Sequence, residues 1–179
     1  MIILCGPSAC GKTEVGKFLS LHFNIKKAIT NTTREKRIGE VDKVDYYFTS
    51  KEDFLKMKEE DLFVETTSYN NNYYGCLKSE VGKDKLVILE PEGVKNFLKL
   101  NDKSLCVFLL YANEEKRIDR MRYRKDKEED IIKRIENDRI SFSKEKLPSY
   151  NYQINTDSLT IEEVANQIIN LYHSFLKTV

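Results

Sequence analysis

The chain opens on an apolar run, "MIIL" (1–4). It breaks into "CGPSACGKT" (5–13) and resumes as "EVGKFLSLHF" (14–23). An apolar run that stops at a glycine-bounded loop and continues with helical periodicity predicts a buried strand, a tight loop and an amphipathic helix. Gly6 to Thr13 match the spacing G-x-x-x-x-G-K-[ST]. Glycines at the two ends let the backbone of Gly6, Pro7, Ser8, Ala9, Cys10 and Gly11 curl so that its N–H groups point at phosphate oxygens. The positive end of the following helix adds to the same field. In this pattern Lys12 reaches the β- and γ-phosphates of a nucleoside triphosphate, and the Thr13 hydroxyl is the expected Mg²⁺ ligand.

The rest of the chain extends that unit. "KLVILE" (85–90) and "SLCVFLLY" (104–111) read as further buried parallel strands, and "NYQIN" (151–155) as a shorter one. "TIEEVANQIINLYHSFLKT" (160–178) places Ile161, Val164, Ile168, Ile169 and Leu171 on one stripe of a helix, with Ser158 or Thr160 as its cap. Strands alternating with helices predict an α/β fold, a parallel sheet flanked by helices on both faces. Length agrees, because 179 residues suffice for one domain with a proper core.

Charge and cysteines narrow the function classes. One third of the residues are charged, yet the net charge is only +1, which speaks against a general nucleic-acid or membrane-surface protein. No apolar run approaches the roughly 20 residues of a membrane helix. The four cysteines (Cys5, Cys10, Cys76, Cys106) show no CxxC spacing and read as reduced thiols of a cytoplasmic protein. With only His22 and His173, a histidine metal site is not expected.

Two regions interrupt the alternation. Residues 30–79 are rich in Tyr, Asn and Thr and hold one helix-like segment, "SKEDFLKMKEE", with Ser50 as cap and Asp53 three positions on. They read as a small inserted subdomain. Residues 113–134 are nearly all charged and read as an exposed helical pair. A phosphate loop that hands a phosphoryl group to a small acceptor needs a second anion site and mobile positive charge. Arg34 and Arg37 can clamp one phosphate with forked hydrogen bonds, and Tyr46 and Tyr74 can donate hydroxyls to it. Arg117, Arg120, Arg122, Arg124 and Arg134 are enough for a closing lid.

Taken in order, "GPSACGKT", "TNTTREKRIGEVDKVDYYF", "LFVETTSYNNNYYG", "DRMRYRKDKEEDIIKRI" and "YNYQINTDSL" resemble the motifs of guanylate kinases over nearly the whole chain. The resemblance implies a single P-loop kinase domain over 1–179. Its core would be 1–29, 80–112 and 135–179, its nucleoside-monophosphate-binding part 30–79 and its lid 113–134. It implies ATP with Mg²⁺ as donor and GMP or dGMP as acceptor, in purine nucleotide metabolism. By the same resemblance Arg34, Arg37, Tyr46 and Tyr74 hold the GMP phosphate and Glu65 reads the guanine. Thr30 lies near the base, and Arg120, Arg124 and Arg134 reach ATP and the moving phosphoryl group. Asn155 lies near the adenine, and Glu92 belongs to the acceptor side. Lys12, Arg34 and the three lid arginines form the implied catalytic set.

The chain departs from the family pattern in places. Cys76 stands where a base-reading hydroxyl is usual. "LEPE" puts Glu90 and Glu92 where aspartates are usual, and Lys127 and its neighbours replace a glycine-containing lid turn. A related kinase with another small phosphorylated acceptor, and a non-catalytic binding module built on the same fold, stay open at this point, as does the choice between monomer and homodimer.

Overall fold

The computed structural model describes residues 1–36, 40–69 and 71–179. The opening run forms strand β1 (Ile2–Cys5), buried along its whole length, and the loop after it leads into helix α1 (Lys12–His22). Then follow β2 (Lys26–Lys27), β3 (Asn31–Thr32), β4 (Tyr47–Phe48), α2 (Lys51–Glu59), β5 (Phe63–Tyr69), β6 (Asn72–Leu77), β7 (Lys85–Ile88) and α3 (Pro91–Leu98). The chain closes with β8 (Cys106–Tyr111), α4 (Glu114–Tyr123), α5 (Glu128–Ser141), β9 (Tyr152–Asn155) and α6 (Ile161–Leu176).

One sheet has the order β2-β7-β1-β8-β9, and every pairing in it is parallel. Its two faces follow from the period-two alternation of strand side chains. Ile2 and Leu4 of β1, with Leu86, Phe108 and Leu110, pack beneath α1 (Val15, Leu19) and α6 (Val164, Ile168, Ile169, Tyr172). Met1, Ile3 and Cys5, with Val87 and Val107, face α3 through Val94 and Phe97. This is the expected parallel α/β sheet with helices on both faces. Thr160 caps α6 through a full capping box with Glu163, while Ile161 stays 37% exposed and the buried stripe is continued instead by Ala165 and Tyr172.

The second sheet, β4-β3-β6-β5, lies within residues 31–77 together with α2. Ser50 caps α2, its hydroxyl accepting from Asp53 N–H at 3.0 Å. Hairpin strands β5 and β6 pair antiparallel with a register shift between Phe63 and Glu65, which inserts Val64 as a bulge. Bulges re-aim the side chains that follow them, here Glu65.

The charged segment is less exposed than its composition suggests. Arg117 and Met121 of α4 and Ile131, Ile135 and Asp138 of α5 are buried. Helix α5 runs past position 134 to Ser141. Within the pair, Met121, Ile131 and Ile135 form a small apolar cluster that takes in Ala9 of the loop after β1.

Candidate active site

The segments after β1, β8 and β9 that carry sequence motifs leave the carboxyl ends of parallel strands, where ligands of open α/β sheets bind. After β1, Gly6 and Gly11 take positive φ (152° and 97°). A Cβ at Gly6 would run into the Leu110 carbonyl oxygen, so only glycine lets the loop sit this close to β8. Ala9 also takes a left-handed conformation, φ 61°.

The loop's carbonyls are all held from Gly6 to Cys10. The Lys12 ammonium donates to those of Gly6 and Pro7 (2.9 Å to Pro7). Arg117 donates to Ser8 at 3.3 Å, Arg120 to Ala9 at 3.2 Å, and the Thr156 hydroxyl to Cys10 at 3.0 Å. Asp138 accepts from both the N–H and the hydroxyl of Ser8, at 2.9 and 3.1 Å.

A cleft of about 940 Å³ opens beside this loop, lined by residues 9–15, by Lys116, Asp119, Arg120, Tyr123 and Arg124 of α4 and its end, and by Thr156, Asp157, Leu159, Thr160, Ile161 and Val164. Of the expected donor-side residues, Ala9, Cys10, Gly11, Lys12, Thr13, Arg120 and Arg124 thus share one cavity. Gly6, Pro7 and Ser8 form the loop behind it. Arg134 is exposed outside that lining, 3.5 Å from the Asp126 carboxylate, which also takes Arg124 at 3.2 Å. Asn155 is exposed and accepts from the Asp157 N–H at 2.7 Å; its neighbours Thr156 and Asp157 line the cleft instead.

A second cluster gathers on the small sheet. The Arg34 guanidinium donates to Glu40 at 2.7 Å and to the Glu35 carbonyl at 2.6 Å. It lies 5.6 Å from the Tyr46 ring centre and 5.7 Å from that of Phe48. The Tyr46 and Tyr74 rings are 6.4 Å apart. The hydrogen bond to Glu40 pushes the Arg34 pKa up, so its charge is secure. Arg37 lies outside the described residues. Lys27 extends over the Tyr46 ring at 5.9 Å and adds a cation to this cluster.

Around the cluster, Thr30 is half-buried and its carbonyl accepts from Tyr47 N–H at 2.9 Å. Glu65 is half-buried opposite Cys76 in the β5–β6 pairing. Desolvation raises its carboxyl pKa to about 7, against the opposing hydrogen bond from the Cys76 backbone. Cys76 itself is fully buried in the apolar cluster shared with Met1, Ala28 and Val94, and burial pushes its thiol up to about 12. Glu92 is exposed in the first turn of α3, 3.9 Å from Lys95. Glu90, the residue before α3, is raised by desolvation while the Lys12 ammonium pulls it down.

Asp138, Thr156, Asp157 and Lys27 were not among the residues expected from sequence. For Asp138 a signal existed: it follows Ile131 and Ile135 at helical spacing, an acid on an apolar stripe. Among the described residues no group of three His, Cys, Asp or Glu is placed to hold a metal ion, and no helix is long and apolar enough to cross a membrane.

Comparison with known proteins agrees with this geometry. A family model described as guanylate kinase matches residues 1–172. The chain is 36% identical over 179 residues to a guanylate kinase of Prochlorococcus marinus (strain MIT 9312), covering 96% of this chain and 95% of that one. It is 33% identical over 180 residues to a guanylate kinase of Mycoplasmoides gallisepticum, covering 94% and 91%. The crystal structure of guanylate kinase from Anaplasma phagocytophilum superposes with a TM-score of 0.69 at 23% identity, covering 97% of this chain and 84% of that one. A motif-bearing phosphate loop, a matching fold and full-length relatives lead to one conclusion: the chain belongs to the guanylate kinase family.

Proposed function

We infer that this chain is a nucleoside monophosphate kinase that transfers the γ-phosphoryl group of ATP to GMP or dGMP. The observation that carries this is one chain of the family holding two separate phosphate-fitted clusters, the loop cleft with Lys12 and the Arg34–Tyr46–Tyr74 group.

Lys12 and the loop amides take the β- and γ-phosphates of ATP, and the base lies toward Thr156, Asp157 and Ile161. The exposed Thr13 hydroxyl in the first turn of α1 is the protein group that would hold Mg²⁺, an ion that needs few protein ligands. When bound, that ion neutralises charge on the β- and γ-phosphates. Arg34, Arg37, Tyr46 and Tyr74 hold the acceptor phosphate, and Glu65 accepts from guanine N1–H and its amine. Arg120, Arg124 and Arg134 form the lid that spreads positive charge over the moving group. No general base is needed, because the acceptor oxygen is already ionised; catalysis rests on alignment and charge neutralisation. Residues 30–79 act as the acceptor-binding part and 113–134 as the lid. Four free, buried cysteines support a cytoplasmic setting.

A coupled assay with ATP and a panel of nucleoside monophosphates tests this. Turnover with GMP and dGMP, and little with AMP, CMP or UMP, is expected. Turnover with another monophosphate but not with GMP or dGMP moves the acceptor, and binding of nucleotides without turnover returns the chain to a binding role.

A further inference from the structure

Arg117 and Asp138 form a buried ion pair at 2.6 Å, 5% and 8% exposed, between the bases of α4 and α5. A buried pair is weak grounds for stability, because desolvating two charges offsets most of their attraction. This one is also incompletely satisfied: Arg117 Nε is buried with no hydrogen-bond partner among the described residues. Its contacts point elsewhere. Between them the two side chains engage every polar group of Ser8: the N–H (2.9 Å), the hydroxyl (3.1 Å) and the carbonyl (3.3 Å).

The next residue supplies the reason for such a grip. Ala9 sits at φ 61°, a region that side chains other than glycine enter only when their surroundings compel it. Ser8 is fixed on one side of it, and Arg120 holds its own carbonyl at 3.2 Å.

We propose that Arg117 and Asp138 are positioning residues for the donor nucleotide. By clamping Ser8 they hold the phosphate loop, with Ala9 left-handed, in the shape that receives the phosphates of MgATP. Neither side chain touches the nucleotide; both act through the loop backbone. The proposal deepens the reading of this loop as the ATP site and rests on it.

The test uses the full chain and calorimetric titration with MgATP, alongside steady-state kinetics. The double variant Arg117→Met/Asp138→Leu removes both charges and keeps the interior apolar, a replacement that buried pairs tolerate. Its melting temperature is expected to stay close to wild type while MgATP binding weakens about tenfold and the KM for GMP holds, the scale of losing one to two hydrogen bonds. Adding Ala9→Gly to that variant is expected to recover most of the lost affinity, because glycine adopts the left-handed conformation without a clamp. Wild-type MgATP affinity in the folded double variant overturns the proposal, as does equal weakening for ATP and GMP. Where the double variant does not fold, Asp138→Asn keeps the shape but discharges the clamp. About threefold weaker MgATP binding is then expected, and unchanged binding overturns the proposal. A wild-type protein that does not bind MgATP at all refutes the site reading instead, so the two failures are distinguishable.

Discussion

A carboxyl group can accept from guanine N1–H and from its amine together, one donor to each oxygen, only while it is ionised. In the free protein the Glu65 carboxyl is raised to about 7, chiefly by desolvation. With the proposed guanine contact, Glu65 below that value is largely neutral and cannot take both donors, so kcat/KM for GMP should rise with pH and level off above about 7. The GMP phosphate completes its own ionisation near about pH 6, so the control is Glu65→Gln, which should lose the higher step and keep the lower one. The same raised pKa makes ligand-free stability fall as pH climbs from the ordinary 4.5 toward 7, since the folded state there binds the extra proton. Lys12 sits on the donor side, at the start of α1. Its ammonium is the charge that caps the phosphate loop, and Lys12→Ala should lower kcat by about 10²–10³, the usual loss of a single transition-state donor, with circular dichroism unchanged. A preserved kcat would remove Lys12 from the catalytic set.

At the scale of elements, the β5–β6 hairpin depends on a missing side chain. A Cβ on Gly75 would lie 2.8 Å from Phe63 Cδ1 and 3.0 Å from the Glu65 carbonyl. Gly75→Ala should therefore push β5 away, destabilise the fold by about 1–3 kcal/mol and raise the KM for GMP, because the displaced strand carries Glu65; thermal melts and kinetics check both. The elements differ in how plainly the sequence shows them. β1, β7, β8 and α6 announce themselves through apolar runs and helical stripes, because they fill the core. β5 and β6 carry Thr, Ser, Tyr and Asn, since they build a polar site, and leave no such trace. β2 is two exposed lysines on the sheet edge, visible only through its pairing with Lys85 and Leu86. α3 begins on Pro91, a favoured first helical position, yet the proline and Gly93 obscure the helix that Val94 and Phe97 anchor. The phosphate loop and Arg34 were legible as motifs. Thr156 was not, because tertiary packing alone brings it to the loop from 146 positions away; Asp138 shows in the sequence as an acid on an apolar stripe, but its partner Ser8, 130 positions away, does not.

Across the molecule, the two sheets meet at the apolar cluster that holds Cys76 and, on the polar side, through Glu80. Glu80 is 8% exposed, and its carboxylate accepts from Ile29 N–H at 3.2 Å where the chain leaves the parallel sheet, from Lys85 at 2.7 Å where it returns, and from the Tyr47 hydroxyl of the small sheet at 3.3 Å. Both crossings between sheets are thus tied to one side chain, which fixes the small sheet against the parallel sheet. Glu80→Ala should cost about 1–3 kcal/mol for the partners left unsatisfied. It should also raise the KM for GMP more than that for ATP; an equal effect on both would make Glu80 a plain stability residue. Phosphorus NMR of the protein with MgATP and GMP checks that the two clusters serve one transfer between two nucleotides. ADP and GDP should appear in equal amounts as ATP and GMP disappear, and Lys12→Ala should suppress both. ADP accompanied by free phosphate with GMP unconsumed, or no change in any resonance, would contradict it.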